Sequence, residues 1–320
     1  MRAVRVHTFD GPAALRVDEV EEPKAGAGEV LVEVKAAGVN FPDVLLTRGK
    51  YQFKPPPPFS PGGEAAGVVK AVGAGVKHFD VGDRVATTLL YGAFAERIVV
   101  PELATVKLPD AVSFEIGAAT LLTYLTDMHA LVDRAALKAG ETLLVLGAAG
   151  GVGVAAIQIG KMLGARVIAA ASSPEKLAFC KENGADEVID YAKEDLKERA
   201  KAFTPNVVFD PVGGAFAEPA LRAIAWEGRY LVVGFAAGDI PKIPLNLALL
   251  KGCQIVGVFW GQFAMRDPER NRAHAAQVFE SVAAGKLAPR VWRTLPFARA
   301  SEALELMEQR KVLGKIVLTP

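Results

Sequence analysis

The 320-residue chain is short of several things that define large functional classes. Cysteine is one: only Cys180 and Cys253 are present. Two thiols cannot build a disulfide framework or a four-thiolate structural zinc site, and they point to a reducing compartment. An excess of one charge is another. The 37 Lys and Arg stand against 36 Asp and Glu, and no basic block runs along the chain. A nucleic-acid or membrane-surface partner therefore has no electrostatic support. No apolar run reaches about 18 residues, the length that a spanning helix needs. The opening "MRAVRVHTFDGP" carries no apolar signal core. A cytoplasmic protein is the expectation. Histidine is scarce and scattered, at His7, His78, His129 and His274, so no metal cluster is expected.

What the chain does have is apolar content, 51% hydrophobic, enough for the cores of two domains. Residues 1–120 read as short strands with tight turns. "GEVLVEVKAAGVN" alternates apolar and polar positions, and "AAGVVKAVG" and "GDRVATTLL" follow suit, with glycines between them. This part predicts a β-rich, barrel-like domain. "KPPPPFSP" reads as a stiff loop. "SFEIGAATLLTYLTDMHAL" is long, apolar and free of proline, and predicts one helix. Over residues 121–262 strands and helices alternate, which predicts a parallel sheet with helices on both faces. Residues 263–320 predict a polar helix, then a last helix and strand that return to the first domain. The fold class is α/β, a parallel-sheet domain combined with a β-rich one.

"VLGAAGGVGVAAIQIG" sits at the head of the alternating part. Glycines in loops commonly serve turns alone, so the flanks decide. Here an apolar strand, Leu143–Leu146, precedes the loop, and an apolar helix follows it. Missing side chains let backbone N–H groups approach a pyrophosphate, and a helix N-terminus favours its charge. Ala149, Gly150, Gly151 and Val152 are the candidate cradle. Ala148 stands where the common motif has its first glycine. An NAD site usually places an acid about 20 residues further on. This chain has "AAASSPEK" there. Ser172 offers a hydroxyl and Lys176 a positive charge, which suits a 2′-phosphate and hence NADPH. Lys176 also reads as an ordinary solvated helix lysine. Ser173 is placed to cap a helix with Pro174 at its first position.

Together, "GAAGGVG", "NFPD", "PGGEAAGVV", "VGDRV", "ASSPEK" and the terminal "GKIVL" resemble the zinc-independent quinone oxidoreductases of the medium-chain dehydrogenase/reductase superfamily. The likeness spans essentially the whole chain. It implies a GroES-like catalytic domain built from both ends, a Rossmann domain between them, NADPH in the cleft, and a homodimer. Zinc members of the superfamily carry a cysteine where this chain has Asn40 and a Gly-His-Glu motif where it has Gly62-Gly63-Glu64. Without a Lewis acid, alcohol oxidation is not expected, whereas an electron-poor quinone or enone needs less help. Glu64 is then expected to be structural and salt-bridged.

The resemblance also implies roles for single residues. Asn40 and Tyr51 match positions near the nicotinamide and are the candidate catalytic residues. Asn40 is expected to hydrogen-bond the cofactor or the acceptor oxygen, and Tyr51 to stabilise an oxyanion or donate a proton. Thr126 matches the threonine that faces the cofactor. Asp127 beside it departs from the family, which has a small apolar residue there. Tyr191 matches a 2′-phosphate or adenine contact, or else it packs at a strand end. Gly234, Phe235 and Phe259 lie at later strand ends, where backbone could hold the carboxamide; Phe259 and Trp260 could instead serve a dimer interface. Two other functions remain open. One is an enoyl or alkenal reductase acting on an enone or enoyl thioester, for which Arg48 and Lys50 would be cations near the pocket mouth. The other is an NADPH-binding protein without turnover.

Overall fold

The computed structural model describes all 320 residues, which form two compact units. The first comprises Met1–Leu122, Pro268–Gly285 and Pro289–Pro320; the second comprises Thr123–Asp267 and Lys286–Ala288.

In the first unit the C-terminal strand joins strands from residues 29–107 in one seven-stranded sheet, and Arg2–Arg5 pairs separately with Arg16–Glu19. The centre of the larger sheet is the eleven-residue strand Glu29–Val39, whose alternating valines are buried. Strand Glu64–Val72 pairs antiparallel with it on one side, Lys315–Thr319 on the other. The register pairs Gly38 with both Val317 and Glu64, and Val39 with Ile316. Residues far apart in sequence thus converge at the end of the central strand. Gly38 has no room for a side chain: an added Cβ would lie 2.1 Å from the Ala118 carbonyl oxygen and 2.5 Å from Glu64 Oε1. Strand Val291–Pro296 extends this sheet parallel to Lys315–Thr319 and was not foreseen, because its mixed charged and aromatic sequence lacks a clean alternation.

The second unit holds a six-stranded parallel sheet. Its order is Glu187–Asp190, Arg166–Ala171, Thr142–Leu146, Val207–Asp210, Arg229–Val232 and Gln254–Gly257. In sequence terms that is third, second, first, fourth, fifth, sixth. The chain reverses direction of travel beside Thr142–Leu146, and such a switch opens a crevice at the carboxyl ends of the strands. Three central strands are almost wholly apolar, as burial on both faces requires.

The single long helix expected over "SFEIGAATLLTYLTDMHAL" is instead broken into Phe114–Ala118, Leu121–Asp127 and a wider π-type segment, Met128–Arg134. Thr120 Oγ1 donates to the Ile116 carbonyl at 2.5 Å. Such bonding back to the preceding turn bends helices. No helix is long and apolar enough to cross a membrane.

Gly38→Ala should destabilise the first unit by about 1–3 kcal/mol, the cost of forcing atoms into a filled core. Urea unfolding of the variant checks this; an unchanged midpoint would refute the crowding argument.

Candidate functional site

Parallel pairing lines up the cofactor candidates of the second unit. Gly147, Ser172 and Tyr191 follow directly on the first, second and third strands of that unit, and Gly234 and Phe259 lie two residues past the fifth and sixth. Ala149, Gly150, Gly151 and Val152 form the loop and first turn of the helix Gly151–Met162. Gly150 sits at the N-cap with no side chain to cap, and the first turn holds no acid. Its N–H groups are therefore available to an anion, and the helix dipole favours one.

Two further glycines complete the loop. Gly147 adopts φ +58 immediately after its strand, so the tight-turn glycine is present one position before Ala148. An added Cβ on Gly153 would lie 2.5 Å from the Gly147 carbonyl oxygen, so this glycine lets the helix pack onto the loop. Gly153 belongs to the glycine motif that the sequence displays, whereas Gly147 was not singled out, although it could have been found as the residue ending the apolar run. Asp210 shapes the neighbouring strand end: its Oδ1 accepts from the Val212 N–H at 2.7 Å and the Gly213 N–H at 2.9 Å, and its other oxygen from the Tyr230 hydroxyl.

At the second strand end, Ser173 caps the helix Pro174–Glu182 by accepting from the Lys176 N–H at 3.3 Å. Lys176 Nζ in turn donates to Ser172 Oγ at 3.3 Å. The hydroxyl and the ammonium thus share one place. Tyr191 packs at a tilt against Phe216, ring centroids 4.5 Å apart, on the edge of the unit's core. Phe235 packs over Gly213, and Phe259 is more than half exposed ahead of the helix Trp260–Arg266.

Thr126 is buried beside Asp127. Asp127 is wholly buried with no hydrogen bond to either carboxylate oxygen, and burial holds its carboxyl well above the usual range. Burial without a partner disfavours its charged form.

The first unit gathers Asn40, Asp43, Glu64 and Lys315, all buried. Lys315 Nζ donates to Asn40 Oδ1 at 2.5 Å and forms an ion pair with Glu64 Oε1. Asn40 Nδ2 donates to Glu64 Oε1 at 2.9 Å and to the Gly38 carbonyl at 3.3 Å. Glu64 Oε2 accepts from the Leu122 N–H at 2.9 Å. Glu64 is therefore salt-bridged inside the unit. Asn40 precedes the helix Phe41–Thr47, yet the helix start is tied by Asp43 instead. Its Oδ2 accepts from the Asn40 N–H at 2.8 Å and its Oδ1 from the Gly62 N–H at 3.0 Å. Burial pushes the Asp43 carboxyl up to about 7, against the lowering effect of those two N–H donors and of Lys315. Tyr51 packs against Val6, Leu46 and Phe59, and its hydroxyl makes no hydrogen bond within the protein. Burial, with the Asp43 charge adding to it, raises the Tyr51 hydroxyl, so it stays a donor at neutral pH. Asp43 and Lys315 were not foreseen, although both lie in motifs that the sequence displays. Arg48, a candidate cation for a large substrate, is held by Glu308 through two bonds of 2.5 and 2.8 Å.

A parallel sheet in this order, with a glycine loop after its first strand, is a dinucleotide-binding Rossmann unit, here accompanied by a β-rich unit. Two sequence families agree: "Alcohol dehydrogenase GroES-like domain" matches residues 26–110 and "Zinc-binding dehydrogenase" matches residues 151–280. The chain is 38% identical to the quinone oxidoreductase-like protein 2 homolog of Nematostella vectensis, over 99% of this chain and 88% of that protein. It is 34% identical to a quinone oxidoreductase of Pseudomonas aeruginosa, over 100% and 99%. The Escherichia coli quinone oxidoreductase, solved with NADPH, superposes with a TM-score of 0.94 at 31% identity, each chain covered in full. The chain belongs to the quinone oxidoreductase-like family of the medium-chain dehydrogenase/reductase superfamily, and it is an oxidoreductase.

The zinc of the second family's description does not fit these residues. Asn40 and Gly63 offer no anionic or imidazole ligand, Glu64 is already paired with the Lys315 ammonium, and both Asp43 oxygens are taken by backbone N–H groups.

For Asp43 the sign of the pH effect follows from its raised carboxyl. Between about pH 4 and pH 7 the folded state binds this proton and the unfolded state does not, so the group's contribution to stability falls as pH rises. Asp43→Asn removes that slope. Its unfolding free energy minus that of the native sequence should therefore rise from pH 4 to pH 7. A flat or falling difference in denaturant titrations would contradict the assignment.

Proposed function

We propose that this protein is an NADPH-dependent, zinc-independent reductase that delivers a hydride to a quinone. The observation that carries the reading is the Ser172–Lys176 pair, which stands at the strand end where an NAD site has an acid. A hydroxyl and an ammonium held together suit a ribose 2′-phosphate. The glycine cradle would hold the pyrophosphate through the first-turn N–H groups, with Gly147 and Gly153 giving it room. Thr126, Tyr191, Gly234, Phe235 and Phe259 are proposed cofactor contacts; for Tyr191, packing on Phe216 is an equally good account of its place.

When bound, NADPH would supply the hydride. The chain's own work is positioning and proton management. Tyr51 presents an unengaged, protonated hydroxyl, the right form to steady a developing oxyanion or give up its proton. Asn40 and Gly63 stand where zinc members of the superfamily have ligands, and this favours an acceptor that is already electron-poor. A quinone fits that requirement. An enone is the second reading; an enoyl thioester gains no support from Arg48, which Glu308 neutralises.

The first unit is proposed as the catalytic domain and the second as the cofactor domain. A cytoplasmic homodimer completes the proposal. Strand Gln254–Gly257 ends the parallel sheet with one side unpaired, and nearby Leu245, Leu249, Leu250 and Trp226 are largely exposed. An open edge flanked by apolar side chains suits a second copy of the chain. Sedimentation should give a dimer, and Ile255→Lys on that strand a monomer. A native monomer would overturn the assembly.

Loss of NADPH absorbance, followed with quinones, enals and enoyl thioesters in the presence of chelator, tests the function. Quinones should be turned over with no effect of the chelator; activity abolished by chelation and restored by Zn²⁺ would end the zinc-independent reading. Lys176→Glu should weaken NADPH binding about tenfold to a hundredfold, the worth of one charged phosphate contact of about 1.5–3 kcal/mol. NADH binding should change little. Equal loss for both would show that Lys176 does not read the phosphate.

A further inference from the structure

The second unit holds a cavity that none of the proposed cofactor contacts lines. It measures about 320 Å³, near the lower end of the range for small-molecule sites. All of its lining belongs to that unit. Lys197 comes from the helix Leu196–Lys201, Glu218 and Arg222 from the helix Ala217–Ala223, and Lys242 from the loop before the helix Asn246–Lys251. The charged lining is thus three cations against one carboxylate. Pro241 and Ile243 add an apolar wall, and Ile243 is anchored on the unit's core.

The three cations are committed to different degrees. Arg222 pairs with Glu218 Oε1 through Nε at 2.8 Å and through Nη2 at 2.7 Å. It cancels the one acid of the lining and keeps most of its five N–H donors. Lys197 pairs with Glu198 at 3.1 Å, but both side chains are about half exposed, and a pair so open to water yields readily to another anion. The Lys242 ammonium has no partner at all. Its backbone is nevertheless restrained. Pro241 precedes it, and Pro244 limits the conformation of Ile243. The loop is also tied to its neighbour: the Gly214 N–H donates to the Asp239 carbonyl at 3.1 Å and the Ala237 N–H to the Val212 carbonyl at 2.8 Å. A site held in place before its ligand arrives loses less on binding.

We propose that this cavity is a second ligand site, for a small organic phosphomonoester. Once Glu218 is cancelled, two positive charges are left over, and they match the dianion that such an ester becomes above about pH 6. Lys197, Arg222 and Lys242 hold the phosphate, and the organic body lies against Pro241 and Ile243. The site is separate from the Ser172–Lys176 strand end and does not depend on the cofactor reading.

Calorimetry with phenyl phosphate tests the assignment. The native protein should bind this probe with a Kd below about 1 mM. Inorganic phosphate lacks the organic body, and methyl phenyl phosphate carries a single charge; each should bind at least about fivefold more weakly. Lys197→Gln/Lys242→Gln should weaken phenyl phosphate about tenfold or more. Both lysines are at the surface, so the variant keeps the packed core intact. No binding by the native protein, equal affinity for either control, or native affinity in the double variant would overturn the proposal. So would binding that Lys176→Glu abolishes and the double variant retains, because the probe would then sit at the strand end and not in the cavity.

Discussion

The first unit is organised around one buried ammonium. Lys315 enters the sheet on the last strand, and its Nζ meets Asn40 and Glu64 from two other strand ends. Removing one partner of such a pair leaves an uncompensated charge, at a cost of about 3–5 kcal/mol. That asymmetry specifies register more than it adds stability. A one-residue slip of Lys315–Thr319 would turn its side chains to the other face and strand both charges. The pair therefore ties the C-terminal strand to one alignment against residues some 250–275 positions away, and Gly38 can pack tightly because that alignment holds.

Charge counting explains the rest of the cluster. Asp43 and Glu64 are two carboxylates facing one ammonium. Glu64 takes the direct pair. Asp43, wholly buried, has only backbone N–H groups and a more distant Lys315, and its carboxyl rises accordingly. The cluster is close to neutral when Asp43 holds its proton. A divalent cation would have to expel the ammonium from Glu64 and would find no thiolate or imidazole in exchange. The substitutions at positions 40 and 63 and the lysine at 315 thus form one consistent set.

Much of the second unit could be read directly from the sequence, for a physical reason. Its site is local. The apolar strand, the glycine loop, the capping Ser173 and the basic Lys176 are each set by neighbours within a few residues, and such signals survive in a linear string. The first unit's site is not local. Nothing in "GKIVL" announces that its lysine will sit on Asn40, since the contact depends on sheet register across nearly the whole chain. Arg48 shows the same limit: its tie to Glu308 appears only once the helix Ala300–Glu308 is packed. The long helix that the apolar run suggested failed for a local cause, Thr120 bonding back into the preceding turn, but hydrophobic pattern alone does not weigh that bond.

The glycine loop and the Asn40 cluster are therefore built by opposite means, and this bears on how each can change. The glycine loop is shaped by backbone and by side chains that are missing. Its demands fall on Gly147, for its positive φ, and on Gly153, for its packing, while residues such as Ala149 and Val152 contribute N–H groups that any non-proline residue has. The Ser172–Lys176 pair proposed to read the 2′-phosphate lies at the next strand end, outside the glycine loop. Asn40 is different. Its amide is directed by three other side chains or backbone groups, so no member can change alone without turning the amide or leaving a buried group unpaired. The strand end at Ser172 and Lys176 is thus the more freely adjustable place, and the orientation of Asn40 is the fixed one.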